Sequence, residues 1–145
     1  MQAELDELLS QTPAPFIGFT SLAVGADQLF AEAVLRHGGS FTAIIAFAGY
    51  ELKFAEGQDR EAYERLLAQA AEVEVLKTSA SNREAYFKAG KQVVNRSELL
   101  IAVWDGKPAA GLGGTADVVN YARQRGKRIR HLDPVNRIVE EIEYV

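Results

Sequence analysis

Apolar residues along this chain fall into two alternating patterns. The runs Phe16 to Thr20, Thr42 to Phe47, Val73 to Leu76, Leu99 to Trp104 and Arg128 to Leu132 are strand-length, rich in β-branched or aromatic residues, and mostly apolar on both faces. Between them, Ala26 to Arg36, Gly57 to Ala71, Ser81 to Ser97 and Thr115 to Arg125 place apolar residues three and four apart, the spacing of a helix with one buried side. Buried strands alternating with such helices predict an α/β fold around a mainly parallel sheet of about five strands.

Local punctuation supports these cuts. Gly38-Gly39 ends one helix, Gly126 with Lys127 ends another, and Asp133-Pro134 reads as a cap followed by a first-turn proline. A short C-terminal helix through Ile138, Val139 and Ile142 is expected after it. At the other end, Glu4 to Ser10 reads as a helix with Leu5, Leu8 and Leu9 inward, where most such sheets begin with a strand.

Composition narrows the class. With 145 residues, 48% hydrophobic and 25% charged, and with no low-complexity tract, fixed-period repeat or long linker, residues 1–145 are expected to form one domain. The longest nearly unbroken apolar stretch, Ala43 to Gly49, is too short to span a bilayer, and the N-terminal Met-Gln-Ala-Glu-Leu-Asp-Glu is acidic rather than signal-like. Zero cysteines exclude a disulfide framework and thiol chemistry, so a cytoplasmic protein with no membrane partner is predicted. A net charge of -4 offers no general attraction to nucleic acid phosphates.

In open parallel sheets, ligands settle outside the carboxyl ends of the strands, where helix N-termini aim N–H groups at anions. The richest such turn is Trp104-Asp105-Gly106, then Lys107-Pro108-Ala109-Ala110, then Gly111-Leu112-Gly113-Gly114-Thr115 opening a helix. Glycines let backbone approach a phosphate, while Thr115 either caps the helix or offers its hydroxyl to the ligand. Asp105 faces either a ligand hydroxyl or amine, or an N–H of its own turn. The early turn from Thr20 to Asp27 adds Ser21, Gly25 and Asp27, the last either a ribose contact or a carboxylate favoured by the helix dipole. After the next strand, Gly49 and Tyr50 border the same end, with Tyr50 either stacking on a base or covering the core.

Other candidates are weaker. Lys88 and Lys91 share a helical face that is either a solvated surface or a source of cations. The basic run Arg123, Arg125, Lys127, Arg128, Arg130 and His131 suits a helix C-terminus followed by a charged sheet-edge strand better than it suits nucleic acid. His37 and His131 have no partners at metal-ligand spacing, so no metal is expected. No G-x-S-x-G elbow signals acyl transfer.

The turn Leu22-Ala23-Val24-Gly25-Ala26-Asp27-Gln28, together with LLIAVWDG and GLGGTADVVNYAR further on, resembles the SLOG superfamily over Phe16 to Pro134. That group includes YpsA-like proteins, to which the chain is most similar, the DNA-processing protein DprA, and the Lonely Guy phosphoribohydrolases. The resemblance implies a single Rossmann-like three-layer domain binding a nucleotide or nucleotide sugar. Gly111, Gly113, Gly114 and Thr115 would cradle phosphate, with Ser21, Gly25 and Asp27 from the early turn.

Three departures qualify what it implies. Lonely Guy enzymes carry a glutamate three residues after the threonine, where this chain has Val118; Asp117 is next door but about 100° around the helix. DprA-like proteins carry a basic residue where this chain has Val24. Family members usually begin with a central strand beside those starting at Phe16 and Leu99, which is missing here; either the start is misassigned or the sheet is rearranged. The expectation is a sensor or carrier domain for a nucleotide-derived ligand, with no obligatory cofactor and assembling as a homo-oligomer such as a dimer. The alternatives are N-glycoside hydrolysis of a nucleoside monophosphate with Asp117 as the catalytic carboxylate, or an interaction domain with a vestigial pocket.

Overall fold

The computed structural model describes residues 1–77, 81–104, 114–133 and 139–142, the last as backbone. The chain divides into two compact units, Met1–Thr78 and Ser79–Val145. Both mix helices with parallel strands, so the α/β class holds.

The first unit runs α1 (Gln2–Ser10), β1 (Ile17–Thr20), α2 (Ala26–Arg36), β2 (Ser40–Ile45), a 3-10 turn (Tyr50–Lys53), α3 (Gln58–Gln69) and β3 (Glu72–Val75). Its three strands are parallel in the order β1-β2-β3. Strand β2 is central, and Phe41, Thr42, Ala43 and Ile44 are all buried, which is why this run is apolar on both faces. Strand β3 alternates Glu and Val at the sheet's edge, where charge discourages pairing with another chain. Helix α1 lies against α2 with Leu5 and Leu9 buried. Its Asp6 Oδ1 accepts from Arg36 Nη2 at 2.8 Å and from His37 Nε2 at 3.0 Å, tying α1 to the C-terminal end of α2.

The second unit runs α4 (Asn82–Arg96), β4 (Leu99–Val103), α5 (Thr115–Gln124), β5 (Arg128–Leu132) and β6 (Val139–Ile142). Ser81 starts α4 by accepting from the Glu84 amide at 3.3 Å. Strands β4 and β5 are parallel, and α4 and α5 bury Val94, Val119 and Ala122 against Leu100, Ala102 and Ile129. The two helices approach closely at Gly90. A Cβ there would stand 2.6 Å from Val118 Cγ2, so only glycine fits without a shift.

Two expectations are corrected here. The C-terminal segment through Val139 and Ile142 is a strand, antiparallel to β5, rather than a helix. Its apolar spacing fits a helix, but pairing sets Glu140 opposite His131 and Glu141 opposite Arg130, acidic positions against basic ones. Consequently β5 is the middle strand of β4-β5-β6, not a sheet edge, so guarding an open side does not account for its basic residues.

Candidate functional site

The best-defined feature at a strand's carboxyl end is the turn from β1 into α2, and it is held from within. The Leu22 amide donates to Thr20 Oγ1 at 3.2 Å, and the Leu22 carbonyl accepts from Gln28 Nε2 at 3.2 Å. Leu22 itself is fully buried yet sits at φ 58, a left-handed conformation that costs a non-glycine residue about 1 kcal/mol or more. Burial of its side chain and bonds at both backbone groups hold it there.

Asp27 closes the turn from the helix side. Its Oδ2 accepts from the Ala23 amide at 3.1 Å, and its carboxylate also accepts from the Ser21 amide. Burial pushes the Asp27 carboxyl above the usual carboxylate range, partly opposed by those two amides. Structural closure is thus a role of Asp27, alongside the dipole preference. Gly25 then caps α2 at φ 99 with open space around its Cβ position, and no side chain caps the helix. The first amides of α2 therefore emerge from a rigid turn beside an exposed Val24.

The next turn, at the same end of the sheet, contains Gly49 in a left-handed conformation opening the 3-10 turn. Tyr50 is 7% exposed and packs edge-on against Phe47, Phe54 and Tyr63, so the structure places it in the core. Tyr63, stacked on Phe54 at 4.4 Å, has its hydroxyl pushed up to about 12, first by burial and then by Glu51 and Glu64.

In the second unit, Gly114 precedes α5 with extended backbone, no side chain caps it, and Thr115 is the exposed first helical residue. Asp117 is half-buried in that first turn, with its amide bonded to the Gly114 carbonyl at 3.1 Å. Val118, where the Lonely Guy pattern has its glutamate, points into the α4–α5 packing against Gly90. Asp105, Gly106, Gly111 and Gly113 lie outside the described residues. Thus Ser21, Gly25 and Asp27 share one turn, Gly49 and Tyr50 the neighbouring one, and Gly114, Thr115 and Asp117 one helix start.

Sequence reasoning missed the residues that shape these places. Thr20 and Gln28 fix the early turn, and their only sequence signal is proximity to it. At the carboxyl ends of β4 and β5, His131 Nε2 bonds the Trp104 carbonyl and the two rings lie 5.2 Å apart. Among the described residues, no group of three or more His, Cys, Asp or Glu comes together as a metal site, and no helix is long and apolar enough to cross a membrane.

No protein-family model matches the sequence, and no curated protein matches it.

Proposed function

We propose that this protein binds a nucleotide or nucleotide-derived ligand, as a sensor or carrier, through phosphate contacts at strand-to-helix turns of a single Rossmann-like three-layer domain. The observation that carries this reading is the β1–α2 turn. A parallel strand runs into a turn fixed by Thr20, Asp27 and Gln28, and opens a helix whose first amides no side chain caps. Such amides, with the dipole behind them, suit a phosphate, and a turn already rigid loses little entropy on binding. The start of α5 repeats the arrangement after β4: glycine, no side-chain cap, and an exposed threonine. Val118 packed against Gly90 speaks against the phosphoribohydrolase alternative, because a carboxylate at that position would be directed into the helix pair.

Thermal-shift screening against adenine and guanine nucleotides, cyclic nucleotides and ADP-ribose tests the proposal. Ligand at a hundredfold its Kd adds about 2.7 kcal/mol to stability. Gly114→Asp and Gly25→Asp, which set a carboxylate at each helix start, are expected to cancel the shift. The reading fails if no such compound moves the melting temperature, or if both variants keep a hit's full shift.

A further inference from the structure

The whole-chain charge conceals opposite halves. Met1–Thr78 carries five Lys or Arg against twelve Asp or Glu, whereas Ser79–Val145 carries eleven against eight. A charge distribution divided in this way steers oppositely charged surfaces towards one another.

On the second unit, two of these cations, Lys91 and Arg125, come together where α4 packs beside α5. Phe87, Lys91 and Asn95 follow one another at four-residue spacing on α4, as do Tyr121 of α5 and Arg125, the residue that caps its C-terminal end. Lys91 Nζ lies 4.8 Å from the Phe87 ring centre and 5.9 Å from that of Tyr121, and the Arg125 guanidinium carbon lies 5.3 Å from the same Tyr121 ring. The Tyr121 hydroxyl donates to Asn95 Oδ1 at 2.7 Å, and Arg125 Nη2 donates to the same oxygen at 3.4 Å. Asn95 Oδ1 is thereby engaged twice, leaving its amide N–H groups, the ammonium and the guanidinium as donors at this face. Among the described residues no carboxylate forms an ion pair with Lys91 or Arg125. Two like charges held on one ring, with no counter-charge among the described residues, call for an acidic partner.

On the first unit, α3 supplies the complement. Glu61 and Glu64, three residues apart on one face, are exposed, and among the described residues neither is taken up by an ion pair, whereas Arg60 and Arg65 of the same helix are engaged with Glu56 and Glu32. We infer that the α4–α5 face carrying Lys91, Tyr121 and Arg125 docks the acidic α3 face of a second copy of this chain. Cations already covering the Phe87 and Tyr121 rings favour carboxylates over bases, since a nucleic acid strand would need open rings for stacking. The two faces differ, so the contact is heterologous and closes into a ring or continues as a chain of copies.

Sedimentation velocity on the full chain, without nucleotide, tests this independently of the ligand proposal. Self-association is expected at low salt and should weaken roughly tenfold between about 50 and about 500 mM salt. The double variants Lys91→Glu with Arg125→Glu, and Glu61→Lys with Glu64→Lys, should each stay monomeric, and mixing them should restore assembly. Misfolded variants would not produce that rescue. If a charge-reversed pair does not fold, the neutral pair Lys91→Gln with Arg125→Gln decides. Three results would overturn the inference: a wild-type chain monomeric at low salt, association indifferent to these substitutions, or a mixture that stays apart. So would a labelled single-stranded oligonucleotide that binds wild type and is lost with the Lys91 and Arg125 variants, which would give this face to nucleic acid.

Discussion

Val118 on α5 fills the space that the missing side chain of Gly90 leaves on α4, so closely that a Cβ at position 90 would stand 2.6 Å from Val118 Cγ2. Gly90→Ala gains helix propensity worth about 1 kcal/mol, but it drives a methyl into a β-branched neighbour that has little rotamer freedom. Overpacking of this kind costs about 1–3 kcal/mol, so net destabilisation of about 1 kcal/mol is expected in urea unfolding. Gly90→Ala combined with Val118→Ala should recover part of that loss. A double variant no better than the sum of its parts would show that the two residues do not share one space.

Val118→Glu is expected to behave as a packing lesion and not as a gain of chemistry. Forcing a carboxylate between α4 and α5 should lower stability by about 2 kcal/mol or more. Chromatography of nucleoside monophosphates incubated with the variant should detect no released base.

Asp27 binds two amides of its own turn, so Asp27→Ala leaves Ala23 and Ser21 N–H groups without that acceptor, at a cost of about 1–3 kcal/mol. Asp27→Asn keeps the shape but presents one carbonyl oxygen where two oxygens stood, and an intermediate loss is expected. Thermal melts of both variants beside Gln28→Ala, which frees the Leu22 carbonyl, would rank the ties. If all three melt like wild type, the turn is held by Leu22 burial alone.

Tyr63 supplies an alkaline signature. Its hydroxyl titrates near about 12 in the fold against 10.0 unperturbed, so the folded state keeps a proton that the unfolded chain releases first. Its contribution is therefore fully present below pH 10.0 and lost as pH rises towards about 12. Tyr63→Phe, which keeps the stacking on Phe54, should flatten the fall in urea stability across that window.

Asp6 acts at the opposite end of the pH scale. Hydrogen bonds from Arg36 and then His37 hold its carboxyl below the ordinary 3.8, so its stabilising contribution stands above that value and is lost as pH falls through the lower folded one. Asp6→Asn should remove this acid-side dependence. Hydrogen exchange in α1 would report it most directly, because Asp6 ties that helix to α2.

How far the sequence spoke depended on whether the deciding interaction was local. Helix α2 was expected from Ala26 to Arg36 and has those bounds, because Gly25 opens it and backbone bonds from Gly38 and Gly39 to Leu35 and Val34 close it. The last segment was misread because Ile138, Val139 and Ile142 suit a helix by spacing, while the reason for a strand lies across the sheet at Arg130 and His131. The same limit applies to the site. Gly25, Gly114 and Thr115 announce themselves by residue type. The bonds from Thr20 and Gln28 to Leu22, the burial of Tyr50 among three rings and the direction of Val118 become visible only when the chain is folded.

Among the described residues, every side chain that shapes the β1–α2 turn through a hydrogen bond belongs to the stretch from Thr20 to Gln28. Its form is thus written almost entirely in nine consecutive residues, with Leu22 asking only for an apolar space beneath it. A segment so self-contained is portable. Grafted between a parallel strand and the helix that follows it in an unrelated sheet, it would carry its left-handed leucine and its open helix start along with it.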